Sequence, residues 1–420
     1  MMINKLTIEY FKAIDFIEIH PRKLNILVGR NNTGKTSVLE ALNLMQDSHE
    51  LPPNYQSNPS NLINHKGSSS IIQIHYNRSK EEKLELYHID LEEFLVIFKK
   101  EFQDGLQHLP RSIFLFLLHD LNKTTKLEKT IKKILKDRTI DSYINKVLDV
   151  ESNREKIQNA AKMTLRWYDG RNSGYFKGHP YSNVYDELIR EILSLIAKET
   201  PDVKDLVRHT SDIIPRYMLY GFSANRRKET SYKRHRERLI YIKDPIESLK
   251  SSEQNESVAN EVQKIIKEAD LIQGLERFSF NSIVLEGDGI IPLNLMGDGF
   301  RVLISLLATL AGSPPRSVIL LEEPEVHMHP GYIIEFLKYL IRLSKRGHHQ
   351  IFITTHSFDL IDSVVNPTTL SKEEIEFLKR NTNIIRLNKK EKAGTIISEE
   401  MNIAQAKESL NDVGLDLRGI

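Results

Sequence analysis

The chain has 420 residues, with 59 Lys and Arg against 57 Asp and Glu, and no cysteine. That length exceeds one ordinary core and predicts roughly two to three domains. Near-neutral charge excludes a uniformly basic chromatin-type protein and an acidic tail but permits local patches. The missing thiols exclude disulfides, Cys-ligated zinc, iron–sulfur clusters and cysteine nucleophiles.

In chain order, Leu6, Ile8 and Tyr10 alternate with polar residues and Phe16 to Ile19 follows, so the chain opens with two short strands. This start lacks the basic-then-apolar run of a leader peptide. Leu24 to Val28 is apolar and ends at Gly29, as a buried parallel strand would. Thr36 to Met45 has helical spacing in Val38, Leu39, Leu42 and Met45. Asn54 to Ser70 reads as a loop, and Ile71 to Tyr76 with Leu84 to Ile89 as paired strands. From Leu91 to Pro215 the pattern is of amphipathic helices, with no strand discerned. We read residues 91–215 as a helical insertion between an N-terminal part, 1–90, and a C-terminal part, 216–420. Strand character returns at Tyr217 to Phe222 and Phe278 to Leu285, and helix and strand then alternate to Ile385, which predicts an α/β fold. Lys250 to Ser257 reads as a loop. The most apolar stretch, Val302 to Ala311, falls far short of the ~20 residues of a membrane span, so a soluble cytoplasmic chain without membrane partners is expected.

Four motifs carry chemistry. Gly29, Arg30, Asn31, Asn32, Thr33, Gly34, Lys35 and Thr36 fit GxxxxGK[ST] between an expected strand and helix. Glycines let backbone N–H groups turn toward phosphate oxygens, Lys35 supplies a cation for the β- and γ-phosphates, and Thr36 offers a hydroxyl to Mg²⁺. ATP and Mg²⁺ are the expected cofactors. The apolar run Ser317 to Leu321 ends in Glu322 and Glu323, where an α/β sheet binds ligands. One carboxylate can hold Mg²⁺ and its neighbour can orient and deprotonate water. Gly297, Asp298 and Gly299 precede a long apolar helix, whose free N–H donors suit phosphate. Ile351 to Thr355 is another apolar strand, followed by His356.

The order of these motifs, with MGDGFRVLISLLATLA, LLEEPEVHMHP and QIFITTHSFDLID, resembles the ABC-type ATPase heads shared by SMC proteins and the overcoming-lysogenization-defect (OLD) family. It closely resembles the standalone OLD-like ATPases of bacteria and archaea, many found in anti-phage systems. The resemblance covers about residues 1–90 and 216–420. It implies an ABC-type P-loop head, a mixed sheet with flanking helices, interrupted here by the large α-helical insertion. It also implies that Gly29 to Ser37 bind the triphosphate, that Thr36 and Glu322 attend the magnesium, that Glu323 is the catalytic base and that His356 senses the γ-phosphate. Gly297, Asp298 and Gly299 would close in trans over nucleotide held by a second copy, making a homodimer, and a higher oligomer stays open.

Three departures accompany the resemblance. Glu322 stands where the family has Asp, which puts the hydrolysis rate in question. Asp298 stands where transporters have Gly, and no Q-loop glutamine is evident, with Ser223 to Arg226 as a substitute. His327 and His329 read as the loop touching the opposite subunit rather than as a metal pair, and His348-His349 as a solvated turn. Arg226, Arg227, Lys228, Lys233, Arg234, Arg236 and Arg238 against Glu229 and Glu237 give a local charge of +5, a candidate contact for nucleic acid or an acidic partner. The basic run from Lys123 to Arg138 reads as a packed helix with a charged outer face. No two aspartates lie two residues apart and 64 residues follow His356. An OLD-type Toprim nuclease domain is therefore not expected, and a separately encoded nuclease or toxin is the expected effector. The alternatives are a nucleotide-gated sensor with negligible hydrolysis and an SMC-like DNA-repair ATPase. The latter lacks heptads for a long arm, and the missing LSGGQ disfavours a transporter subunit.

Overall fold

A computed structural model describes residues 2–46, 58–76, 80–107, 139–148, 150–169, 173–177, 179–199, 239–246, 256–287, 289–389 and 395–411. The chain divides into two compact units, one of Met1–Ser48, Asn64–Glu85 and Lys233–Ile420, the other of His49–Ile63 and Leu86–Tyr232.

The first unit opens with β1 (Ile3–Phe11), antiparallel to both β2 (Ile14–Ile19) and β4 (Ser69–Tyr76). Alternate residues Leu6, Ile8, Ile17, Ile19, Ile72 and Ile74 are buried, the period expected of strands with one face inward. Next to β4 in this sheet runs β5 (Lys80–His88).

The central sheet is mixed. Its order is β15 (Ile396–Met401), β14 (Thr382–Lys389), β3 (Leu24–Val28), β13 (Gln350–Thr354), β12 (Val318–Glu322) and β8 (Leu239–Ile242). Only β15 runs antiparallel, to β14. Successive residues of these strands face opposite sides, and both sides are covered. Ile26, Ile319, Leu321, Ile351 and Ile353 join one core cluster. It takes in the apolar faces of α6 (Glu256–Glu268), α7 (Asp298–Ala311), α8 (Pro330–Gly347), α9 (Phe358–Val365) and α10 (Lys372–Asn381), with Ile403 and Ala406 of α11 (Ile403–Asn411). Leu27, Leu320, Phe352 and Ile385 are equally buried outside that cluster, and α1 (Lys35–Gln46) lies against β8, β12 and β13. Strands buried on both faces read as continuous apolar runs, which is why β3, β12 and β13 stand out in the sequence.

Where a single strand was expected at 278–285 there are two, β9 (Leu275–Phe278) and β10 (Ser282–Leu285). The turn between them is closed by Ser279 N donating to Ser282 O at 2.8 Å and Ser282 N to the Ser279 hydroxyl at 3.1 Å, hydroxyl turn chemistry inside an apolar run. β11 (Gly289–Pro292) completes this small antiparallel sheet.

The second unit contains α2 (Leu91–Gln107), α3 (Thr139–Leu148), α4 (Glu151–Lys162) and α5 (His179–Glu199). The expectation that this stretch has no strand is corrected: β6 (Thr164–Tyr168) and β7 (Ser173–Lys177) form an antiparallel hairpin. Leu165 and Trp167 turn inward while Arg166 and Tyr168 face solvent, a short alternation that helical spacing on either side obscures. Phe98 meets Tyr185 edge to face at 5.3 Å in this unit's core.

The expected strand 217–222, the substitute Q-loop at 223–226, the basic segment 226–238 with Arg226, Arg227, Lys233, Arg234 and Arg236, and the basic run 123–138 lie outside the described residues. Of the loop expected at 250–257, residues 250–255 lie outside too, and Glu256 and Ser257 open α6. Among the described residues no helix is long and apolar enough to cross a membrane.

Candidate nucleotide site

The loop from Gly29 to Gly34 links β3 to α1 and is bent by three residues in left-handed conformation, Gly29 (φ +141°), Asn32 (φ +61°) and Gly34 (φ +87°). Gly29 is required on two counts, since a Cβ there would also lie 2.3 Å from the Leu387 carbonyl of β14. Lys35 is 5% exposed, and its ammonium donates to the carbonyls of Gly29 at 2.9 Å and Arg30 at 3.0 Å. Burial lowers its pKa to about 8, opposed by the charge of Glu323. A buried cation whose hydrogen bonds, among the described residues, go to loop carbonyls is suited to receive an anion. The Thr33 hydroxyl donates to Arg30 O at 2.8 Å and tightens the loop. Thr33 and Ser37 are buried, whereas Arg30, Asn31 and Asn32 are exposed on its outer side.

Parallel pairing in register places Glu322 opposite Thr354, so the residues after β12 and β13 emerge side by side. Glu322 accepts the Thr36 hydroxyl on Oε1 at 2.8 Å and the Tyr241 hydroxyl on Oε2 at 2.7 Å. The exposed Lys243 ammonium stands 3.9 Å from Oε2. Glu323 adopts φ +44°, a conformation bulky residues avoid. It is held there by its amide, which donates to Thr354 O at 3.0 Å and to Thr354 Oγ1 at 3.2 Å. That kink turns Glu323 away from the strand line toward His356, whose Nε2 lies 3.2 Å from Glu323 Oε1. Burial lowers the His356 pKa, with Lys35 adding and Glu323 opposing, so the imidazole is neutral at pH 7.

A hydroxyl and a carboxylate meeting at 2.8 Å beside a phosphate-type loop are the hard oxygen donors that Mg²⁺ takes along with substrate phosphates. Thr36 and Glu322 therefore fit the ion. Among the described residues no cluster of three or more acidic or His side chains could cage a metal alone, so phosphate and water oxygens would complete the shell.

Gly297 caps α7 with φ −59° and has nothing within 4 Å of where a Cβ would be. Asp298 is exposed and pairs with Arg301 at 3.1 Å. Gly299 abuts the loop after β12, where a Cβ would lie 2.4 Å from His327 O. Within one chain, then, the P-loop, Glu322, Glu323 and His356 converge. Gly299 abuts the loop beyond Glu323, and Gly297, Asp298 and Gly299 make no hydrogen bond to the P-loop among the described residues. His329 caps α8, its Nδ1 accepting from Gly331 N at 3.2 Å. The expected solvated turn at His348-His349 is corrected by half. His348 ends α8 in left-handed conformation and is exposed, but His349 is 2% exposed, with Nδ1 unpartnered among the described residues. Two contributors escaped the sequence reading. Tyr241 sits on a strand of four residues, and Glu325 lies inside a quoted motif but carries no pattern of its own.

The AAA ATPase domain model matches residues 1–361. The chain belongs to this AAA ATPase domain family. A 128-residue segment, 30% of the chain, is 28% identical to the whole of uncharacterized protein MJECL11 of Methanocaldococcus jannaschii. Among solved structures, this AAA ATPase is similar to the SMC head domain from Thermotoga maritima, at 12% identity over 96% of this chain and all of that one, with a TM-score of 0.43. It is also similar to an Smc head bound to the C-winged helix domain of ScpA, at 12% identity over 97% of this chain and all of that one, with a TM-score of 0.45.

Proposed function

We propose that this AAA ATPase binds ATP with Mg²⁺ and hydrolyses it at composite sites between two copies of the chain. The observation that carries the reading is the convergence on one P-loop of two carboxylates with separate partners, Glu322 on Thr36 and Glu323 on His356.

Gly29 to Ser37 would cradle the phosphates with loop amides and the start of α1, and Lys35 would leave its two carbonyls for the β- and γ-oxygens. Thr36 and Glu322 would hold Mg²⁺, which would supply charge neutralisation at the phosphate oxygens. Glu323 orients a water and takes its proton as the water oxygen bonds to the γ-phosphorus. The bond to the β–γ bridging oxygen breaks, ADP keeps the electron pair, and the proton passes on to phosphate. Neutral His356 donates from Nε2 and keeps Glu323 aimed.

Dimerisation is supported by exposed apolar side chains around the site. Leu295 is 72% exposed two residues before Gly297, Val326 45% three after Glu323, and Phe358 46% two after His356. Large apolar groups ringing a nucleotide cleft mark a contact surface, and Gly297, Asp298 and Gly299 would then meet the partner's phosphates. The resemblance to OLD-like ATPases supports a role in anti-phage defence. Nucleotide state would pass through the second unit to a separately encoded nuclease or toxin, or to nucleic acid through the basic segment with Arg226, Arg227, Lys233, Arg234 and Arg236. Phosphate release by the purified chain tests the core of this reading. Wild type should exceed Lys35→Ala and Glu323→Gln by at least about a hundredfold, and equal rates would remove the assignment.

A further inference from the structure

Glu325 has no task in the reaction just described, yet it is the most conspicuous buried acid beside the site. It is 7% exposed and lies two residues beyond Glu323. Its Oε1 accepts the hydroxyl of Thr355, which is fully buried. The Thr355 oxygen in turn accepts the Ser357 amide at 2.9 Å, so the hydroxyl hydrogen is directed to the carboxyl group. Oε2 is buried without a hydrogen-bond partner among the described residues.

The chain Glu325–Thr355–Ser357 brackets His356, which stands between its last two members. Thr355 is fixed from the other side by its own amide, which donates to Leu27 O at 3.1 Å in β3. Ser357 caps α9 by accepting from Leu360 N at 3.3 Å. Across the gap, Val326 N donates to Glu323 O at 3.1 Å and Met328 N to Glu325 O at 2.9 Å, folding the Glu323 loop over the acid. A leucine would fill this space without leaving an oxygen unsatisfied. An acid that binds the neighbouring loop at that cost is doing more than packing. Burial raises its pKa, the Thr355 hydrogen bond opposes, and the nearby Glu323 charge adds to the rise; glutamine keeps an oxygen that can accept the Thr355 hydroxyl.

We propose that Glu325 is a positioning residue for this ATPase: through Thr355 it locks the loop bearing His356 against the loop bearing Glu323 and sets their 3.2 Å contact. The inference rests on the hydrolysis assigned above. Its test uses the full chain with Thr355→Val, Thr355→Ser, Glu325→Ala and Glu325→Gln. We expect Thr355→Val and Glu325→Ala to lower kcat by about 10–100-fold with KM for ATP little changed. Thr355→Ser and Glu325→Gln, which keep the bond, should stay within about threefold of wild type. The His356 imidazole, assigned by His356→Gln, is titrated by NMR in the same proteins. Lys35 and Glu323 are the charges facing it, and release from its half-buried position in Thr355→Val should raise its pKa toward the ordinary value. Wild-type kcat together with an unmoved His356 titration in folded Thr355→Val and Glu325→Ala would overturn the proposal. Should either fail to fold, low kcat in Thr355→Ser and Glu325→Gln with unmoved His356 would do the same. If wild type releases no more phosphate than Lys35→Ala, the ATPase reading falls, and the His356 titration still decides the clamp.

Discussion

Gly297→Asp separates a role in folding from a role in a partner's site. At φ −59° with no atom within 4 Å of the new Cβ, aspartate fits without strain. As a helix cap it improves on glycine by a few tenths of a kcal/mol, so the melting temperature should hold or rise slightly. Opposite a partner's γ-phosphate the same carboxylate places like charges close together. At about 4 Å and an effective dielectric of about 20, unit charges repel by about 4 kcal/mol, on the order of a thousandfold in closure. Phosphate release should collapse while nucleotide binding to isolated chains survives. Mixing then makes the geometry decisive. Lys35→Ala keeps an intact signature and Gly297→Asp an intact P-loop. In a two-fold dimer each mixed pair therefore has one sound composite site and one doubly broken. With free exchange at equal amounts, half the dimers are mixed, and the blend should recover about a quarter of wild-type activity. A blend as inert as its components, with exchange shown by differential labelling, would refute closure in trans. Full activity of Gly297→Asp alone would refute any phosphate contact at α7.

Glu323→Gln should keep ATP binding, slow turnover by about 100–10,000-fold and accumulate an ATP-bound dimer visible by light scattering. Tyr241→Phe removes the 2.7 Å bond to Glu322 Oε2 and should raise the Mg²⁺ concentration for half-maximal rate by about 10–100-fold, read from a magnesium titration at saturating ATP. Glu322→Asp should also raise the Mg²⁺ concentration for half-maximal rate rather than improve turnover, because the shorter carboxylate cannot reach Thr36 and Tyr241 together. Gly29→Ala brings Cβ to 2.3 Å from Leu387 O at φ +141° and should cost about 2–5 kcal/mol. Gly289→Ala, at φ +80° with open space around it, should cost about 1 kcal/mol. Paired thermal unfolding curves check the difference.

What the sequence showed of the site came from places where pattern and chemistry coincide. The runs before Gly29, Glu322 and His356 are strands buried on both faces, so each is mostly apolar, with Asn25 the polar exception inside β3. Tyr241 was illegible because β8 has four residues, too few for a period, and only its parallel pairing with β12 makes it a strand. The β6–β7 hairpin was hidden by strong helical spacing on both sides and by the charges of Arg166 and Lys177 on its strands. His349 looked solvated beside Lys345, Arg346 and His348. Yet the left-handed turn at His348 swings the next residue inward against Gly347, where a Cβ would sit 2.0 Å from its ring.

The replacement of aspartate by Glu322 is the sequence feature that favoured a sensor with negligible hydrolysis, and the geometry gives it another meaning. Between the Thr36 hydroxyl and the Tyr241 hydroxyl the carboxylate is bound at both oxygens, which immobilises a side chain that would otherwise carry more rotamer freedom than aspartate. The added methylene thus spans from β12 to α1 on one side and to β8 on the other, and the second anchor offsets the flexibility of the first. Glu323, one residue on, is aimed independently, by its positive φ and the Thr354 bonds. The two acids are therefore positioned by different parts of the fold. Lengthening the first does not displace the second, so Glu323 keeps its place whatever the length of the acid before it.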